Sequence, residues 1–96
     1  MRLKELHRKE RARDERKGLI LRLVENVPVT ERRYFTYYHP RNGAPVFQKN
    51  PRDARRLNRP MAEKRKTKIE KGPYEVKVCD RIEEIAEFER ADGRTD

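Results

Sequence analysis

Apolar residues in this chain fall into short blocks set between charged stretches, and each block predicts a different element. The first, Leu19-Ile20-Leu21 and Leu23-Val24, is interrupted by Arg22. Leu19, Ile20, Leu23, Val24 and Val27 fit one helical face, while Leu19, Leu21 and Leu23 fit one face of a strand. The period therefore leaves both open, and Pro28 closes the segment either way. Tyr34-Phe35-Thr36-Tyr37-Tyr38 is aromatic and β-favouring, and Ala44-Pro45-Val46-Phe47-Gln48 would return alongside it. Asn42-Gly43 between them predicts a type I′ turn, in which both positions need positive φ. Pro40 and Pro45 cannot donate ladder hydrogen bonds, which demotes the pair to an edge or an open loop, and an irregular hairpin is expected.

Asn50-Pro51 has the form of a helix cap followed by a first-turn proline, predicting a short helix from Pro51 towards Arg59. A second helix is expected from Pro60 to Lys71, stopped by Gly72-Pro73. Tyr74, Val76 and Val78 alternate as one face of a strand. Asp80 with Glu83 three residues on opens a capped helix whose apolar face is Ile82, Ile85, Ala86 and Phe88, with Gly93 as its stop. Before all of this, residues 2–17 hold good helix formers and few apolar positions (Leu3, Leu6 and Ala12), which predicts a polar helical arm.

The expected fold is thus α+β, small and extended: an N-terminal helical arm, an irregular β-hairpin, a basic helical segment and a C-terminal strand-helix unit. In sequence ranges these are a basic arm at 1–18, a hydrophobic anchor segment at 19–30 and an aromatic and basic hairpin at 31–49. The basic helical segment takes 50–72 and the strand with its acidic helix 73–96. With 96 residues, 33% hydrophobic and 45% charged, the chain has thin material for a core and borders on the disordered class.

Charge sharpens this picture. Between Glu31 and Lys71 stand 13 basic and 4 acidic residues, a net of +9, whereas 72–96 holds 4 basic and 8 acidic residues, a net of −4. A polyanion is the expected partner of the first three quarters, and water or a basic protein surface that of the end. No apolar run approaches the roughly 20 residues of a membrane span, and the start is too polar for a secretory signal. One cysteine, Cys79, makes no internal disulfide.

Arg52, Arg55, Arg56 and Arg59 would share one face of the short helix, with Lys64, Arg65, Lys66, Lys68 and Lys71 continuing the basic run. The competing reading of such a run is a solvated face; the scarcity of acids favours phosphate contact. Arg32, Arg33 and Arg41 accompany Tyr37, Tyr38 and His39, a mixture of cations and rings suited to stacking on unpaired RNA bases. Phe35 and Phe47 are better placed as core. Leu19, Leu23, Ile82, Ile85 and Phe88 are the expected protein contacts, either with a neighbour or within a small core.

Catalysis finds little support. The chain has no serine, and Cys79, His7 and His39 form no recognisable spacing for a nucleophile or a zinc site. Glu83, Glu84, Glu87 and Glu89 are expected to solvate a surface helix. No enzyme activity, cofactor or metal is therefore expected. The composition and layout instead suit a structural subunit of a nucleoprotein assembly, of the ribosomal kind, binding RNA such as rRNA and neighbouring proteins inside a cell, not a secreted protein. Two alternatives remain open: a minor virus or phage structural protein bridging capsid or portal subunits near packaged DNA, and a small basic inhibitor of a nucleic-acid enzyme.

Overall fold

The computed structural model describes residues 16–93; the expected N-terminal arm lies almost wholly outside them. The elements are β1 (Leu19–Leu23), β2 (Tyr34–Tyr38), β3 (Pro45–Gln48), α1 (Arg59–Glu70), β4 (Val76–Asp80) and α2 (Arg81–Ala91). Single 3-10 turns occupy Val29–Glu31 and Pro51–Asp53. The strands form one antiparallel sheet in the order β3-β2-β1-β4, so the chain is a small α+β domain. No helix among the described residues is long and apolar enough to cross a membrane.

The ambiguous first block is a strand, and its position explains the ambiguity. β1 is an inner strand with α1 over one face and, on the other, Ile20 buried and Arg22 bonded to Glu84 of α2, so both sets of alternate side chains are covered. Leu19, Leu21 and Leu23 face α1, with Phe35, Phe47, Val76 and Val78 beside them. Ile20 lies on the other face with Tyr34, Ala54 and Cys79. A strand buried on both sides loses its polar alternation, and with it the period that separates strand from helix.

The hairpin forms with two departures. His39 N donates to the Ala44 carbonyl at 2.7 Å, so the turn spans Pro40 to Gly43 and is longer than a two-residue type I′ turn. Only Gly43 takes positive φ (68°), while the Asn42 side chain accepts from Ala44 N at 2.9 Å. The second departure is a register shift between Phe35 and Tyr37 that leaves Thr36 extra. A bulge resets the alternation, and both Phe35 and Tyr38 thereby reach the α1 face, their rings 5.0 Å apart. Pro45 begins the edge strand, where a missing donor is tolerated.

The helix expected from Pro51 to Arg59 does not form. Asn50 caps a single 3-10 turn, accepting from Arg52 N at 2.9 Å, and Ala54 is already extended. The segment then wedges between β1 and β2. Arg55 N donates to Phe35 O at 2.9 Å, and Leu19 and Leu57 exchange backbone hydrogen bonds of 3.0 and 2.8 Å. Leu57 becomes core. Backbone partners supplied by distant strands outweigh the local helical signal here.

α2 starts at its expected Asp80 cap, and α1 starts one residue before the expected Pro60, on a cap from Asn58. Asn58 accepts from Met61 N at 2.9 Å and Asp80 from Glu83 N at 3.1 Å. α1 buries only Ala62 and Ile69 over Leu21, Phe35 and Val76. Glu70 ties it to β4, taking hydrogen bonds from Lys66 Nζ (2.8 Å) and Val76 N (3.2 Å).

Leu21 is fully buried at the centre of the larger core cluster. Leu21→Ala should destabilise the domain by ~2–5 kcal/mol in urea titrations. Tyr37→Ala, on an exposed ring, should stay within about 0.5 kcal/mol. Equal effects of the two would mean that the sheet centre is not the core.

Candidate nucleic-acid interface

The basic residues divide into those the fold consumes and those it leaves exposed. Glu84 is the main consumer. Only 6% exposed on α2, it accepts from Arg22 Nη1 at 3.0 and 3.2 Å, from the Tyr34 hydroxyl at 3.0 Å and from Arg32 Nη1 at 3.5 Å. Burial, then the neighbouring Glu84 carboxylate, pushes the Tyr34 phenol well above its usual value, so it remains a donor. Glu84 was expected to be a solvating charge; it is instead the anchor of α2.

Its neighbours on α2 act similarly. Arg32 Nη1 donates to Glu87 at 2.6 Å, and Arg52 pairs with Glu89. Burial opposes the Arg32 charge, but the Glu87 hydrogen bond and the nearby Glu84 carboxylate raise its pKa on balance. On other elements, Arg33 pairs with Glu25, Lys49 with Glu31 (2.5 Å) and Lys66 with Glu70. Arg32, Arg33, Arg52 and Lys66, all expected on a nucleic-acid surface, are therefore engaged within the fold. The acidic C-terminal helix meets the protein's own arginines rather than only solvent or a neighbour.

Leu23 and Ile85 are buried, and Leu19, Ile82 and Phe88 half-buried, within the same domain. Leu19 and Leu23 belong to the core cluster under α1. Cys79 is buried on β4, its thiol pushed up by burial and by Glu84, and its Sγ lies 3.7 Å from Lys77 O. β1 and β2 separate β4 from the hairpin loop that carries His39, so the sheet does not bring Cys79 and His39 together.

The remaining cations gather in two places. Along α1, Lys64, Arg65, Lys68 and Lys71 line an open groove of about 710 Å³ with Met61, Thr67 and Tyr38. Among the described residues these four have no carboxylate partner. Lys68 Nζ sits 4.3 Å and the Arg65 guanidinium 5.4 Å from the Tyr38 ring centroid. That ring is thus packed on Phe35 and roofed by cations, which corrects the expectation of an open stacking platform. Arg59 stands at the start of α1 with only a loose, exposed contact to Glu63 at 3.7 Å.

The second gathering is a smaller hollow on the α2 side of the sheet, where Arg55 and Arg56 join Arg52, Arg16 and Arg81. Arg41 is exposed in the hairpin loop. Tyr37 points away from the α1 groove, its ring half exposed, and His39 Nδ1 accepts from Arg41 N at 3.2 Å.

Lys64, Arg65 and Lys68 were grouped by helical spacing in the sequence, and the fold places them together on α1. Arg16, Arg22, Tyr34 and Arg81 were missed as members of the hollow or of the Glu84 network. None of these four had a local signal, since their partners lie far away in the chain. Comparison with protein-family models, curated proteins and solved structures finds no match to this chain.

Removing the buried carboxylate strands Arg22 and Tyr34, so Glu84→Ala should cost ~3 kcal/mol or more. Glu84→Gln, which keeps an acceptor for Tyr34, should cost less; the reverse ranking would contradict the network. Glu87 and Glu25 have carboxyls held below the ordinary value of 4.5, chiefly by hydrogen bonds from Arg32 and Arg33. A depressed folded-state value gives stability that is complete above that ordinary value and lost as pH falls through the depressed one. Unfolding midpoints should hold steady from pH 7 to about 5 and decline below about 4, with a shallower decline in Glu87→Gln. A decline that begins near neutrality would contradict this.

Proposed function

We propose that the protein is a non-catalytic RNA-binding subunit of a nucleoprotein assembly, gripping phosphates through the exposed face of α1. The observation that carries this reading is the segregation of charge. The fold spends Glu84, Glu87 and Glu89 on Arg22, Arg32 and Arg52, and leaves Lys64, Arg65, Lys68 and Lys71 together around one concave surface. Cations grouped on a groove, without local acids to neutralise them, attract a polyanion and displace its counterions on binding. Arg59 extends the same face at its start, and Arg41 with the exposed Tyr37 ring offers a second, stacking contact on the opposite side of the hairpin. A solvated face with no ligand is the competing account, and a salt titration separates the two.

Binding of single-stranded RNA should weaken steeply with salt, with a log–log slope of about −0.7 per phosphate contacted. The triple variant Lys64→Ala, Lys68→Ala, Lys71→Ala should flatten that slope by about 2 while the circular dichroism spectrum stays unchanged. Fluorescence anisotropy against potassium chloride reads both. An unchanged slope would remove α1 as the phosphate-binding face, and equal affinity for single-stranded DNA would remove the preference for RNA.

A further inference from the structure

We propose that the arginine hollow on the α2 side of the sheet binds the terminal phosphate of a nucleic-acid strand. This rests on the reading of the chain as a nucleic-acid binder. The hollow, about 310 Å³, is lined by Arg16, Arg52, Ala54, Arg55, Arg56 and Arg81, and none of these lining residues is acidic. Its size is at the small end of ligand pockets.

Several of these positions are fixed before any ligand arrives. Arg81 is only 7% exposed; its Nη1 donates to Arg16 O at 3.0 Å and its backbone N to Gly18 O at 3.0 Å. Arg52 is held from the other side by Glu89. The backbone around Arg55 and Arg56 is pinned by the Arg55–Phe35 and Leu57–Leu19 hydrogen bonds. Gly18 permits the close approach of Arg56, since a Cβ there would lie 2.3 Å from Arg56 Cγ. The exposed guanidinium groups of Arg55 and Arg56 have no ion pair among the described residues, and are available to close on an anion.

The chemistry favours a phosphomonoester over a chain diester. A monoester carries close to two negative charges at neutral pH and three acceptor oxygens. Guanidinium forks pair with such oxygens two at a time. An internal phosphate brings one charge and belongs on the long groove of α1, which lies across the sheet. The two surfaces would then divide the work, one following the strand and the other recognising where it ends.

The test uses a dinucleotide with a 5′-phosphate, the same dinucleotide with a 3′-phosphate, its hydroxyl-ended form and inorganic phosphate, each titrated calorimetrically into the full chain. A dinucleotide is short against the ~18 Å of a 12-residue helix, so the α1 groove contributes little. One phosphorylated form should bind about tenfold or more tighter than the hydroxyl form. Arg55→Gln with Arg56→Gln should abolish that difference, and Lys64→Ala with Lys68→Ala should preserve it.

Equal binding of the phosphate- and hydroxyl-ended forms, or binding of neither, overturns the proposal. Inorganic phosphate binding as tightly as the phosphorylated dinucleotide also overturns it, in favour of a free-anion site. If the terminal-phosphate preference persists while long RNA ignores the α1 variants, the groove reading fails and the hollow stands.

Discussion

The docking of α2 depends on a carboxylate placed where a carboxylate is costly. Glu84 is buried against the sheet, and such a group is tolerable only when its charge and lone pairs are met. Arg22 from β1, Arg32 from the β1–β2 connection and the Tyr34 hydroxyl from β2 meet it together. These three donors come from two neighbouring strands and the loop between them, so the network also fixes how β1 and β2 lie. Packing alone would leave α2 freer to slide, since its fully buried apolar content is little more than Ile85.

The same network explains how so charged a chain closes a core. Thin hydrophobic content predicts poor burial, yet β1 is used on both faces and each apolar side chain there contributes. Arg22, the one charge inside that strand, does not break the sheet because its partner is built into the opposing helix. The ion pairs of Glu84, Glu87 and Glu89 gather on α2. Surplus positive charge is consequently concentrated on α1 and on the arginine hollow rather than spread evenly.

How much of this was legible in the sequence follows the range of each interaction. The hairpin, the Asp80 cap and the β4–α2 unit rest on residues a few positions apart, and all were readable. β1 was ambiguous because double-sided burial erases alternation. The segment after Pro51 was misread because its partners, Phe35 and Leu19, are far away in the chain. Glu84 gave no local sign at all: Tyr34, Arg32 and Arg22 precede it by 50, 52 and 62 residues. Its spacing on α2 looked like that of any solvated acid. The groove was readable in part, since helical spacing groups Lys64 with Lys68, but nothing local shows that Thr36 bulges and delivers Tyr38 beneath them.

The pairing of β1 with β4 joins residues such as Leu23 and Val76 that are more than fifty positions apart. Contacts of that separation are closed late, because a long loop must be ordered before they reward it. As the polypeptide is synthesised, Arg22, Arg32 and Arg52 emerge well ahead of the carboxylates that will neutralise them. A nascent chain at that stage is more cationic than the finished domain and has no third strand beside β1. Any anionic surface would find its strongest electrostatic hold during this interval and lose part of it when the last helix arrives.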